Sequence, residues 1–175
     1  MIVADDTPSS SYNEVNATLF PNVRHYRMPE RTGWFAGRAL AISQVKTEFF
    51  VWVDDDFTFT YATELEYLLK VIEETDYDVI GGAVNGRETP WNRHNRFVID
   101  RSDNGNCFNR IIGKTIPLPG YATDCHVADV VQNFFIARTQ TAGSVRMDPQ
   151  FDQKAHREWF IDAIGKLRIA RYLSI

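Results

Sequence analysis

The chain has 175 residues, which suits one domain. Hydrophobic residues make up 44% and charged residues 24%, so a packed core is attainable and the composition argues against wholesale disorder. A formal net charge of −4, from 19 Lys+Arg against 23 Asp+Glu, argues against a polybasic nucleic-acid binder, and no apolar run approaches the ~20 residues that span a bilayer.

In chain order, the first expected element is a short strand over residues 1–4 that runs into the acidic pair Asp5-Asp6. Residues 7–15, TPSSSYNEV, are turn-rich and read as a loop. Weak alternation over 22–28 gives a second strand, broken by Pro29 to Gly33. Residues 34–45, WFAGRALAISQV, form a helix. Gly37 inside it costs about 1 kcal/mol relative to Ala, which marks either a close approach or an irregular start. Residues 48–53, EFFVWV, are a near-continuous apolar run ahead of three acids, the pattern of a buried parallel strand. Thr60 is placed to cap a helix over 62–74, with Leu65, Leu68, Leu69 and Ile72 on one side. Residues 77–84, YDVIGGAV, give another strand, loosened by Gly81-Gly82.

Strand, helix, strand, helix, strand argues for α/β architecture with a mostly parallel sheet flanked by helices. After Asn85 the pattern changes. Residues 85–96 are polar and basic, 97–99 and 107–112 read as short strands or ribbon, and 129–137, DVVQNFFIA, is the next buried strand. A long connection over 138–151 leads to a short helix over 158–166, and 168–175, RIARYLSI, opens a further buried segment. Cys107 and Cys125 allow one bridge or two thiols. Asn16-Ala17-Thr18 matches the short glycosylation acceptor pattern.

The strongest chemical feature is Asp54-Asp55-Asp56 at the end of the apolar run. Three adjacent carboxylates repel, and a divalent cation compensates. Mg²⁺ or Mn²⁺ takes oxygen ligands and keeps positions for phosphate oxygens. In extended chain, residues i and i+2 face the same way, so Asp54 and Asp56 are the candidate metal ligands and Asp55 points elsewhere. An acidic surface turn is the bland alternative. Asp5 and Asp6 end a second strand, and in open α/β sheets ligands sit at such ends, where carboxylates accept from base or sugar hydroxyl groups. Arg38, if it reaches that crevice, would neutralise a diphosphate. Asn133, inside an apolar run, needs a partner. Glu158, in His156-Arg157-Glu158, is a candidate general base if it reaches the crevice. Trp34 and Trp159 could form a sugar-stacking wall, with core packing the competing role. Arg87, Arg93, Arg96 and Arg101 form a mildly basic stretch.

The segment 33–57, GWFAGRALAISQVKTEFFVWVDDDF, closely resembles the animal β-1,4-N-acetylgalactosaminyltransferases of the ganglioside-synthase type, related to glycosyltransferase-family-2-like proteins. VADDTP at 3–8, HYRMP at 25–29, DVIGGAV at 78–84, NFFIART at 133–139 and HREWFIDAIGKLRI at 156–169 match the same group in order. The resemblance implies a GT-A (nucleotide-diphospho-sugar transferase) fold with a Rossmann-like sheet. It also implies a UDP-sugar donor, Mn²⁺ or Mg²⁺, and inverting transfer of N-acetylgalactosamine or a similar hexosamine to a glycan or glycolipid hydroxyl. By the same resemblance Asp54, Asp55 and Asp56 form a DxD motif with Asp56 the best metal ligand. Asp6 and, with less support, Asp5 contact the nucleoside, Arg38 belongs to the donor-binding helix, and Glu158 is the base. Residues 1–84 then make the nucleotide-sugar half of one domain and 85–175 the acceptor-side half.

That fold ordinarily opens with an earlier strand, continues past LRI to a further strand with a possible His ligand, and carries a membrane anchor and stem. None is present in this chain, so the sequence predicts a piece of a longer protein with a Golgi-lumenal parent. Two readings from other classes remain open on the residues alone. One is a non-catalytic sugar-binding module. The other is a receiver-type phosphotransfer domain, with Asp5-Asp6 and Asp54 around Mg²⁺ and Lys114 as the cation.

Overall fold

The computed structural model describes residues 1–84, 96–111, 115–121 and 125–172. Arg87, Arg93 and Lys114 lie outside the described residues, as does the end of the 168–175 segment. Strand β1 (Ile2–Asp5) pairs in parallel with β2 (Arg24–Arg27), with Asp5 opposite Arg27. Helix α1 (Trp34–Ser43) lies against this pair. A Cβ on Gly37 would sit 3.6 Å from both Ala4 Cβ and Met28 Sδ, an ordinary van der Waals distance, so the helix packs on the strands without needing a glycine there.

Strand β3 (Phe49–Val53) leads to α2 (Leu65–Glu73) and β4 (Val79–Gly81). Thr60 does not cap α2. Glu64 precedes the helix, and Thr63 Oγ1 accepts from the Thr60 N–H at 2.9 Å to close a separate turn. The other end of α2 is closed from a distance. Arg138 donates to the carbonyls of Ile72 at 2.6 Å, Thr75 at 3.1 Å and Tyr77 at 3.1 Å, satisfying acceptors that a helix end leaves without intrahelical donors.

Strands β5 (Arg96–Ser102) and β6 (Gly105–Ile111) form an antiparallel hairpin whose tight turn uses Gly105 at φ 121°. Then come β7 (Cys125–Ala128), β8 (Phe134–Arg138), α3 (Thr139–Gly143), a 3₁₀ turn (Pro149–Lys154), α4 (Ala155–Ala163) and β9 (Ile169–Tyr172). The expected strand over 129–137 is thus shortened at its start, and the expected connection over 138–151 contains a helix. Cys107 is exposed on β6 and Cys125 is buried in β7, and no disulfide joins them.

The expectation of a mostly parallel, Rossmann-like sheet is wrong. The main sheet has five strands in the order β3-β8-β4-β9-β7. β8 is antiparallel to both β3 and β4, β9 is parallel to β4, and β7 is antiparallel to β9. The physical reason lies in what an apolar run reports. A strand covered on both faces is apolar throughout, whichever way its neighbours run. The crossover from β3 through α2 to β4 does leave those two strands pointing the same way. They are not neighbours, however, because β8 returns between them in the opposite sense. A receiver-type domain needs a parallel doubly wound sheet, so this topology removes that reading as well.

The two faces of the sheet carry two cores. One is aromatic: Phe35, Trp52, Phe135, Trp159 and Phe160 pack under α1 and α4. Trp52 and Phe135 stack with ring centroids 5.1 Å apart, and Phe135 and Trp159 at 5.9 Å. The other is aliphatic: Leu68, Val71, Ile72, Ile80, Leu118 and Ile136 pack under α2. Residues of opposite parity along β8, Phe135 and Ile136, go to opposite faces, as strand pleating requires.

Candidate functional site

The antiparallel partner of β3 builds the site. Register pairs Val53 with Phe134, so the next residues out, Asp54 and Asn133, stand opposite each other beyond the sheet. Asn133 Nδ2 donates to Asp54 Oδ2 at 2.8 Å. This is the partner that Asn133 requires, and it lies just before the strand rather than inside it. The backbone reaches this position because Gly81 and Gly82 lack side chains. A Cβ on Gly81 would fall 2.5 Å from Val131 Cβ, and one on Gly82 would fall 2.3 Å from Phe134 Cε1. The two glycines therefore do not loosen β4. They let the segment ahead of β8 lie flush on it.

The other carboxylate oxygen, Asp54 Oδ1, accepts from Arg38 Nη2, while Arg38 Nη1 donates to the Val53 carbonyl at 3.3 Å. The guanidinium sits in the corner of two edge-on rings, 4.5 Å from the Trp34 centroid and 4.6 Å from that of Trp52. Burial pulls the Arg38 pKa down, against the raising effect of the charges on Asp54 and Asp55. Asp55 and Asp56 are exposed and bond to no described residue.

His156, which the sequence reading did not assign, belongs to this neighbourhood. Its Nε2–H donates to the Val131 carbonyl at 2.8 Å, and its ring meets Phe160 edge-on at 5.1 Å. Burial pushes its pKa down, opposed by the Val131 bond and the Asp54 charge, while Arg38 adds to the lowering. The signal was present in sequence: His156, Phe160 and Ala163 share helical spacing on the buried face of α4. Glu158 is two residues on, about 200° round the helix, and faces other groups. Its pKa is raised first by burial, then by the charge and hydrogen bond of Asp162 and the charge of Asp148, with Arg146 opposing. None of these belongs to the Asp54 cluster. Trp159 is buried in the aromatic core and forms no wall with Trp34.

The second acidic strand end is arranged differently. Asp5 Oδ1 accepts from the Thr7 N–H at 2.8 Å, and Oδ2 accepts from His25 Nε2 at 2.9 Å. His25 Nδ1 in turn accepts from the Val15 N–H at 3.2 Å, which fixes Nε2 as the protonated nitrogen. The hydrogen bonds from Thr7, with a smaller contribution from His25, hold the Asp5 carboxyl down at about 2. Asp6 Oδ2 accepts from the Gly33 N–H at 2.9 Å, at the entry to α1, and no described residue bonds Oδ1.

Among the described residues, no three or more His, Cys, Asp or Glu side chains converge as a metal centre. The donor chemistry nevertheless fits a hard divalent ion at one place. Asp55 and Asp56 offer exposed oxygens, whereas both Asp54 oxygens already accept from nitrogen donors. Such an ion would complete its shell with water and phosphate oxygens.

The chain belongs to glycosyl transferase family 2, whose profile matches residues 1–130. Within that family it is similar to the β-1,4 N-acetylgalactosaminyltransferases. It is 41% identical to mouse β-1,4 N-acetylgalactosaminyltransferase 1 over 172 residues and 42% identical to the human protein of that name. It is 41% identical to mouse β-1,4 N-acetylgalactosaminyltransferase 2 over 169 residues. Each alignment takes in 97% of this chain and 31% of the relative, so the chain spans about a third of the length of the curated relatives it matches. The crystal structure of S. aureus TarS 1-349 shares the fold at a TM-score of 0.61 and 18% identity, over 99% of this chain and 48% of that one.

Proposed function

We propose that this chain is the sugar-nucleotide-handling part of an inverting glycosyltransferase. It would transfer N-acetylgalactosamine, or a similar hexosamine, from a UDP-sugar to a glycan or glycolipid hydroxyl. The observation that carries the reading is the end of β3, where Asp54 is held rigidly and Asp55-Asp56 project into solvent. The names of its relatives supply the transferred sugar and the bond type.

In this reading Asp56, assisted by Asp55, holds a divalent cation, Mn²⁺ or Mg²⁺. When bound, that ion supplies positive charge to the diphosphate of the departing UDP. Asp6, through Oδ1, accepts a hydroxyl or base N–H of the nucleoside; Asp5, with both oxygens already engaged, is left out of that contact. Glu158 faces Asp148 and Asp162 rather than the Asp54 cluster. It keeps in this reading the role the family resemblance gives it, and takes the proton of an acceptor hydroxyl that approaches from that side. Its raised pKa makes it a better base than an ordinary surface carboxylate, and the hydroxyl oxygen then displaces UDP from the anomeric carbon. The longer parent works on the lumenal side of the Golgi membrane. No helix among the described residues is long and apolar enough to cross a membrane.

Calorimetric titration of UDP into the chain, with and without Mn²⁺, tests the donor site. Mn²⁺-dependent binding that disappears in Asp56→Asn is expected. A well-folded chain that binds no UDP in the presence of Mn²⁺ counts against the reading.

A further inference from the structure

We infer that Arg38 is a positioning residue that fixes Asp54 and the end of β3, and not a clamp on the donor diphosphate. The inference rests on the donor-site reading for its functional meaning, but its geometry stands apart from it. A guanidinium recognises a phosphate by presenting an open fork of N–H groups. The Arg38 fork is turned toward its own chain. Nη2 bonds Asp54 and Nη1 bonds the Val53 carbonyl, one residue earlier on the same strand. The guanidinium also rests against the rings of Trp34 and Trp52, and the side chain is only 16% exposed. Turning the fork outward would break two hydrogen bonds and two ring contacts together.

Asp54 is gripped from the other side by Asn133, so α1 and the residue just ahead of β8 hold one carboxylate between them. This arrangement does two things. It neutralises one of three adjacent negative charges, which lowers the repulsion that Asp55 and Asp56 would otherwise feel. It also pins the backbone at Val53–Asp54, so that Asp56 leaves the sheet edge at a fixed position. Arg38 therefore acts on the ligand site through Asp54.

The test is a double-mutant cycle on Mn²⁺-dependent UDP affinity, using the chain as it stands, Arg38→Gln, Asp54→Asn and both together. Far-UV circular dichroism checks folding. Positioning predicts that Arg38→Gln weakens UDP by about tenfold when Asp54 is present and has almost no further effect in Asp54→Asn, because coupled neighbours are not additive. An equal loss in both backgrounds would identify a direct clamp and overturn the inference. An unchanged affinity with a lowered unfolding midpoint would leave Arg38 purely structural and overturn it too.

Arg38→Lys is the milder variant, for use if Arg38→Gln does not fold. Lysine can serve a phosphate as a point charge but cannot reproduce the planar fork that bonds Asp54 and the Val53 carbonyl together. Affinity restored by lysine therefore contradicts positioning, and affinity still lost supports it. If the parent chain itself binds no UDP, the donor-site reading fails, and the pair is judged on unfolding midpoints alone. Non-additive shifts for Arg38→Gln and Asp54→Asn uphold the grip on Asp54; additive shifts refute it.

Discussion

Strands β1 and β3 both end in consecutive aspartates, yet the two ends do different work. At β1 three of the four carboxylate oxygens are taken up within the β1–β2–α1 unit. Asp5 accepts from Thr7 and His25, Asp6 accepts from Gly33, and the result is a folded loop and a helix entry. At β3 the first aspartate is held by two side chains, Arg38 from α1 and Asn133 from the approach to β8, and the next two are left to solvent. The contrast teaches how to discount an acidic pair at a strand end. Donors of the fold itself, here a turn N–H, a histidine and a helix-entry N–H, occupy carboxylate oxygens, and what they leave, Asp6 Oδ1, is open to a ligand.

The largest expected effect separates the two ends directly. Asp56→Asn removes Mn²⁺-dependent UDP binding in calorimetry, whereas Asp5→Asn leaves it within a small factor. Equal losses would erase the distinction. Next is the dependence of the β3 end on its distant supports. Gly82→Ala places a Cβ where the Phe134 ring edge now lies and is expected to cost about 1–3 kcal/mol in chemical denaturation. UDP affinity should fall with it, because Asn133 adjoins Phe134.

The β1 end should instead show itself in acid. The Asp5 carboxyl is depressed from 3.8 to about 2 in the fold, so its stabilisation is fully present above 3.8 and is lost as pH falls toward 2. Discounted for solvent screening, Asp5→Asn should cost about 1 kcal/mol at neutral pH. It should also flatten the acid limb of a stability-against-pH curve; an unaltered limb would mean the bonds to Thr7 and His25 contribute nothing. The smallest effect belongs to Thr60→Ala. Thr60 caps no helix, and its loss should move the unfolding free energy by under about 0.5 kcal/mol.

Local structure was legible where the signal is local. The helix starting at Trp34, the strand before the acids and the buried start of the last segment all follow from spacing and composition. Strand direction was not legible, because burial on both faces writes the same apolar run for parallel and antiparallel neighbours. That one ambiguity hid the site's construction. Without β8 beside β3, nothing in the sequence sets Asn133 across from Asp54, and Arg38 reads as pointing to a ligand rather than to Val53. Gly81-Gly82 was misread for the same reason. A glycine pair in a strand signals weakness until a neighbour that needs the space, here Val131 and Phe134, is known. His156 went unassigned because its helical spacing with Phe160 and Ala163 shows that it is turned inward but not that it bonds the Val131 carbonyl.

The position of β9 has a consequence for how the chain reaches this state. It is the last strand described, yet it lies inside the sheet, parallel to β4 and antiparallel to β7. During synthesis, β4 and β7 must therefore wait with the space between them open until Tyr172 has emerged, their unpaired edges exposed to the wrong partner. Such long-range pairing is slow to close. A ribosome paused before that point would present an assembly-prone intermediate, and that interval is the one in which a chaperone would matter most.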